Sequence, residues 1–462
     1  MITEAFGVFV ANDGDDEAAG TREAPVKSLQ KAVDLADAQH KRVYACSQTF
    51  VGAIEVPSGI ALHGGFDCTG DWSWQAAKPT VIAGAAGNVP VRLLGGAGKT
   101  RLVDLRVEAA DAVEPGGSSI AVIAESGEVE IQRSRLEAGA GMAGSDGEPH
   151  AGAAATGPDG NPGQDDACSG GLPGPVAGAA SVSNPMCPMS AGGKGGTSAS
   201  SIVVLGGDFA AGLPGGAGQP MGGAGGVGAT GTYLSLLGGA DEGCTSGSPG
   251  ASGDEGSDYQ GATGRGLLTK DGWLGVNGGN GGSGTFGLGG GGGGGGYGCG
   301  SNGNNSGGSG AAGGCGGLGA NGGLAGGASI ALVTLDAKVT LDASTLVADA
   351  AGQGGAGGEA QEGGLGGKGG KGVGSESTQL NVSWASCSGG KGGAGGKGGG
   401  AGGGAGGHSL AVAYLGAPPT QLDMVTFAIG TAGAGGPGSA GTTAAAGGAG
   451  MAAETLEFFL PE

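Results

Sequence analysis

One residue in four of this chain is glycine, 122 of 462, against an ordinary share of about 7%. Glycine has no side chain to bury and loses the most backbone entropy on ordering. Length alone would suggest about three ordinary domains, but composition overrules it. Aromatic residues make up 4%, and much of the 38% hydrophobic share is alanine, which buries little area per residue. Conventional side-chain cores are therefore excluded over most of the chain. Collagen is excluded as well, because the 19 prolines are far too few and glycine is not confined to every third position.

The glycine has a period of its own. From Gly354 the chain reads GGA-GGE-AQE-GGL-GGK-GGK, and from Gly389 it reads GGK-GGA-GGK-GGG. A three-residue repeat matches polyproline II, with three residues per turn and about 3.1 Å rise. Glycine at two positions in three leaves two bare faces, so neighbouring legs can approach until backbone N–H meets C=O. The third face carries Ala, Leu, Lys or Glu outward. Residues 351–407 must leave and rejoin the same stack, which predicts antiparallel legs rather than a loose linker.

Between the glycine tracts the pattern changes. Ser119-Ile120-Ala121-Val122 is followed by Val129-Glu130-Ile131 and Ser134-Arg135-Leu136. Ser329-Ile330-Ala331-Leu332 repeats the same offsets with Val339-Thr340-Leu341 and Ser344-Thr345-Leu346. Ser409-Leu410-Ala411-Val412 begins a third copy that ends at Leu422, Val425 and Phe427, with a slip of one residue. These units, with short alternating strands from Arg42 to Ile131, read as an all-β solenoid interrupted by glycine-rich excursions. The predicted division is 1–137 for a first block of coils and 138–327 for glycine-rich insertions around a short strand near 201–205. It continues with 328–350 for a coil, 351–407 for the GGX insertion, 408–429 for a coil, 430–453 for a glycine-rich segment and 454–462 for a terminal strand.

Residues 7–35 combine an apolar strand, Gly7-Val8-Phe9-Val10, a loop with Gly14, Asp15, Gly20, Thr21 and Pro25, and an amphipathic helix. Val26, Leu29, Ala32, Val33 and Ala36 form the apolar face of that helix. This order resembles the opening of bacterial pectate-lyase-like proteins, and the resemblance covers roughly the first 140 residues. It implies a right-handed parallel β-helix with an N-terminal capping helix. The triplets resemble those of snow flea antifreeze proteins, T-even phage tail-fibre adhesins and mycobacterial PE-PGRS proteins. They imply a glycine-rich polyproline II helix bundle and transfer no ligand residues.

The formal charge of −21 leaves no basic footprint for nucleic acid, and no apolar run is long enough to span a membrane. The start lacks a signal-peptide pattern, so the chain is read as intracellular or as the mature part of an exported protein. Eight cysteines, without a CxxC pair, favour disulfides and export. Proximity pairs Cys46 with Cys68, Cys168 with Cys187 and Cys299 with Cys315, leaving Cys244 with Cys387.

Chemistry is sparse. The stretch from Leu94 to Thr100 has GAGKT, but the first glycine of a phosphate loop would fall at Leu93. His40, His63, His150 and His408 are scattered. Asp104, Glu108 and Asp111 with Arg101 and Arg106 are the nearest approach to a polysaccharide-cleaving cluster, and alternation puts Asp104 and Arg106 on one face. No cofactor is expected; Asp13, Asp15, Asp16 and Glu17 offer oxygen ligands for a structural Ca2+, but a solvated turn before the helix is the preferred reading. Trp72 and Trp74 project together if extended, but covering the edge of the solenoid beside Cys68 is the preferred reading. Tyr259, Trp273 and Tyr297, inside the longest glycine-rich insertion, are candidate ligand-binding aromatics. The expected function is a non-catalytic extracellular or cell-surface structural or adhesive protein presenting binding tips. Its partner would be a surface glycan or protein, or a copy of itself. A polysaccharide lyase or hydrolase is the first alternative. An ice-binding protein is the second, although lysines at 368, 371, 391 and 397 interrupt its surface.

Overall fold

The computed structural model describes residues 2–76, 78–166, 175–199, 211–230, 243–296, 304–374, 376–377, 382–383 and 385–459. The expected strand at 201–205, Tyr297, Cys168 and Cys299 lie outside them.

Short parallel strands assemble into three long sheets, and the chain visits the sheets in rotation. Lys99–Val103 lies in the first sheet, Leu105–Glu108 in the second and Ser119–Ala124 in the third. The next round places Gly127–Gln132, Arg135–Glu137 and Ser329–Leu335 beside them. Ala337–Asp342, Thr345–Ala348 and Ser409–Leu415 follow. The spacing seen in the repeat is the register of the sheets. Ser119 pairs with Ser329 and Ser329 with Ser409, while Val129 pairs with Val339 and Leu136 with Leu346. Ala452–Glu457 pairs with Ser409–Leu415, so the terminal strand begins slightly earlier than expected.

Inward side chains of all three sheets share one core, with Val91, Leu102, Val107, Ile131, Leu136, Leu332 and Leu341 among its members. In the first two sheets Thr80–Ala83, Leu105–Glu108 and Ala337–Asp342 alternate buried and more accessible positions, as one wet face requires. The three central strands of the third sheet do not. Ser119–Ala124 is buried throughout, and Ser329–Leu335 and Ser409–Leu415 nearly so. Its outer face carries a second core built from Ile120, Ile123, Ile330, Val333, Leu410 and Ala413 against Leu268, Trp273 and Phe458.

The helix Leu29–Gln39 starts at Ser28, whose hydroxyl accepts the Lys31 N–H, and ends at His40 in the left-handed conformation. It buries Leu29, Ala32, Val33 and Ala36. That is the face read from the sequence.

All three glycine-rich excursions leave from the second sheet and return to the third, so they grow from one edge of the stack. Their first legs keep the order of the strands they continue. Gly141, Gly144 and Gly147 donate to the carbonyls of Ala350, Gln353 and Ala356, and Ala351, Gly354 and Gly357 donate to Thr431, Ala434 and Pro437. The return legs do the same, with Gly314, Gly317 and Ala320 bonded to Gly393, Gly396 and Gly399. A donor at every third residue is the predicted period. Outward positions are exposed at Gln353, Glu359, Glu362, Leu365, Lys368 and Lys371, while Gly352, Gly355, Gly364, Gly367 and Gly370 are buried.

At the centre the triplet gives way to eight glycines in a row, Gly289–Gly296, all buried. Successive N–H groups point to different legs: Gly290 to Ala311, Gly291 to Ser248, Gly292 to Gly216. The carbonyls receive donors from Gly193, Gly390, Gly226 and others, so every N–H and C=O of the octet is bonded. A Cβ on any glycine from Gly289 to Gly295 would fall inside 3.0 Å of a neighbouring carbonyl. No face of this leg has room for a side chain, and it has none.

Candidate functional site

The acidic loop before the helix is a structural turn in this arrangement. Asp16 Oδ1 accepts the N–H groups of Lys27 and Ser28, at 2.9 and 2.7 Å, and Asp15 Oδ1 accepts that of Glu17. The Ser28 and Lys27 N–H groups hold the Asp16 carboxyl below its ordinary pKa. Asp13, Asp15 and Asp16 are not brought together as expected for a calcium ligand set: no group of three His, Cys, Asp or Glu residues among the described residues could hold a metal ion.

The carboxylates considered for catalysis are separated by the same logic. Asp104 is not on a face with Arg106. It sits at φ +57° in the corner between two strands, which breaks the alternation, and its two oxygens take Nε and Nη2 of Arg133 at 2.8 Å each. Arg106 instead bridges Glu108 and Glu137, at 2.7 Å each. Asp111 accepts the N–H of Ala140. Lys99 and Arg101 bracket Glu130, whose pKa is lowered by those two hydrogen bonds. After Leu94–Thr100 the chain continues as the strand Lys99–Val103, with no helix to receive a phosphate.

On the glycine-rich legs, polar side chains cap surplus backbone donors. Asp146 accepts from Ala356, Asp159 from Lys368, Asn280 from Gly322 and Gln361 from Leu318. Asp258 takes the hydroxyl and N–H of Thr443 and the N–H of Gly400, and those bonds, the hydroxyl first, lower its pKa. Part of the acidity of the chain is therefore consumed in holding legs together.

The aromatic candidates divide. Tyr259 is exposed at 53%, with its ring against the bare backbone of Gly279. Trp273, expected at an exposed tip, is only 6% accessible. It lies in the hairpin formed by Leu267–Thr269 and Gly272–Leu274, which folds back onto the outer face of the third sheet. There its Nε1 donates to the Arg265 carbonyl at 2.8 Å and its ring meets His408 edge-on at 5.2 Å. Trp72 and Trp74 do not project together. Trp72, at φ +58°, is buried edge-on against Phe9, while Trp74 is exposed beneath the Arg133 guanidinium.

His408, in the sequence one of four scattered histidines, has a structural role that the sequence did not reveal. Its Nδ1 accepts the Met451 N–H at 2.9 Å and its Nε2 donates to the Arg265 carbonyl at 2.8 Å, which fixes the neutral tautomer. Burial lowers its pKa. It thereby joins a hairpin of the first excursion to the end of the third. The available signal was the apolar runs at 330–333 and 410–415, which call for a cover on both faces.

Three disulfides join described cysteines: Cys46–Cys68, Cys187–Cys315 and Cys244–Cys387, with Cα separations of 5.4, 5.7 and 5.7 Å. The first matches the pairing by proximity and the last the pair that it left over. Cys187–Cys315 overturns both Cys168–Cys187 and Cys299–Cys315, because the legs carrying Cys187 and Cys315 are spatial neighbours although 128 residues apart. Three disulfides point to an oxidising, non-cytoplasmic location. Among the described residues no helix is long and apolar enough to cross a membrane. Comparison with protein-family models, curated proteins and solved structures finds no match to this chain.

Proposed function

We propose that the three sheets are the faces of one right-handed parallel β-helix closed at its start by the helix Leu29–Gln39, with the glycine-rich legs forming a polyproline II bundle along one corner. The rotation of the chain through the sheets and their common core support the solenoid. The capping role is supported by Gln30, whose side-chain amide accepts from Glu55 N and donates to Glu55 O, standing in for the missing strand at that edge. The three-residue bonding period supports polyproline II.

On this frame the chain acts as a non-catalytic structural or adhesive protein outside the cell or on its surface. It recognises a glycan or protein through side chains on the bundle surface, or assembles with copies of itself. The observation that carries this reading is Gly289–Gly296: a leg bonded at every backbone group makes a braced rod, which displays surface groups at fixed spacing. Tyr259, exposed on an outer leg, is the aromatic best placed for contact. The test is binding of the immobilised full chain to glycan and cell-surface protein arrays, with Tyr259→Ser. The expected result is saturable binding that falls at least tenfold in the variant without a change in thermal unfolding. Cleavage of a polysaccharide that disappears in Asp104→Asn would replace this reading with the enzyme, and thermal hysteresis would replace it with ice binding.

A further inference from the structure

We propose that the groove between the 264–277 hairpin and the end of the last strand binds an alkyl carboxylate, with the tail on its apolar wall and the head group on Arg265.

The groove measures about 670 Å³, within the roughly 300–1,000 Å³ of small-molecule sites. Leu267, Leu274, Val276, Phe458 and Phe459 form its wall, and among the described residues Arg265 is the only charged one lining it. Leu274 is 59% exposed and Phe459 66%, although the adjoining Trp273 and Phe458 are buried. This is apolar surface facing water on a rigid base, the arrangement expected of a binding surface.

Arg265 is held in place and underused. Its carbonyl accepts from both Trp273 Nε1 and His408 Nε2, each at 2.8 Å, so its backbone is pinned by two buried side chains. Gly264 and Gly266 flank it at φ +109° and +77°, a conformation that leaves the arginine at the rim of the groove. The guanidinium has five donors. One, on Nη1, goes to the Glu457 carbonyl at 2.8 Å, and the group lies 6.0 Å from the Phe459 ring centroid. Among the described residues it makes no ion pair. A second polar group is fixed at the same groove: Asn277 Oδ1 accepts from Ala325 N, and its NH₂ has no partner among the described residues.

A cation with no counter-charge among the described residues, set in an apolar wall on a chain of charge −21, selects one ligand chemistry. A sugar would find too few polar partners, and a neutral hydrocarbon would leave the guanidinium unused. A carboxylate on an alkyl chain satisfies both halves of the site. This inference does not depend on the adhesive role.

The test is calorimetric titration of the full chain with decanoate below its micellar range, and with decan-1-ol as the neutral counterpart. One saturable decanoate site is expected, with decan-1-ol at least tenfold weaker. Arg265→Gln should bring decanoate down to the level of the alcohol, and Phe459→Ser should weaken both. Equal affinity for acid and alcohol, unchanged decanoate affinity in Arg265→Gln, or the absence of a saturable site would overturn the proposal. If Arg265→Gln fails to fold by circular dichroism, the exposed Phe459→Ser decides, and unchanged decanoate affinity there overturns it equally.

Discussion

Placing one methyl group at the centre of the bundle, as Gly292→Ala, tests the packing on which the scaffold rests. The new Cβ would point at the carbonyl of Lys194 from inside 3.0 Å, a separation no side-chain atom tolerates, so the leg carrying Lys194 must retreat. That leg is tied to its surroundings by Gly193 to Gly290 and Gly196 to Gly293, at 2.8 Å each, and by Gly216 to the Lys194 carbonyl at 2.7 Å. Losing those three bonds removes about 1 kcal/mol each, and overpacking adds about 1–3 kcal/mol. Alanine also restricts the unfolded chain, returning up to about 1 kcal/mol. The net destabilisation is about 3–6 kcal/mol, and the control Leu365→Ala, on an outward position, should stay within about 0.5 kcal/mol. Native-state hydrogen exchange reads this directly: the amides of Gly290, Gly293 and Gly295 should exchange roughly 100- to 10,000-fold faster in Gly292→Ala. Equal exchange in Gly292→Ala and wild type would refute the close approach of legs that the argument assumes.

Three further outcomes follow from particular groups. Burial, and then the Arg42 charge, push the His63 pKa down to about 4, so between that value and about 6.5 the unfolded chain binds a proton that the folded one refuses. Stability should therefore fall as the pH drops from about 6.5 to 4, by about 3 kcal/mol in all, and His63→Phe should flatten that part of the pH profile in urea unfolding. Because six cysteines are paired, no more than two thiols should titrate in the unreduced protein, and peptide mapping should link Cys187 to Cys315. A Cys168–Cys187 peptide would contradict the fold. Trp273→Ala removes a buried aromatic with its hydrogen bond, at about 3–5 kcal/mol. It should expose the outer face of the third sheet, seen as faster exchange in Ser409–Leu415, so lost binding in that variant would report unfolding and not contact.

How far the chain could be read depended on whether a segment's environment repeats. The repeated strands were legible because each must place the same apolar residues over the last, so Ser119, Ser329 and Ser409 align in the sequence as they pair in the sheet. The helix was legible from Leu29, Ala32, Val33 and Ala36 because 3.6-residue periodicity is local. The bare faces of the GGX legs followed from the triplet alone. Asp104 was misplaced because alternation holds only within a strand, and a corner at positive φ interrupts it.

What the sequence determined by itself was the kind of contact each segment can make: apolar rungs, and glycine legs without side chains on two faces. Only the tertiary structure decided which legs meet. One GGX triplet is chemically like another, so partners are selected by where the coils anchor each excursion, and that selection joins Cys187 to Cys315, surrounds Gly289–Gly296 on all sides and turns Trp273 inward. These outcomes depend on segments distant in the chain meeting in space, Cys187 and Cys315 being 128 residues apart, and no local pattern encodes such a meeting.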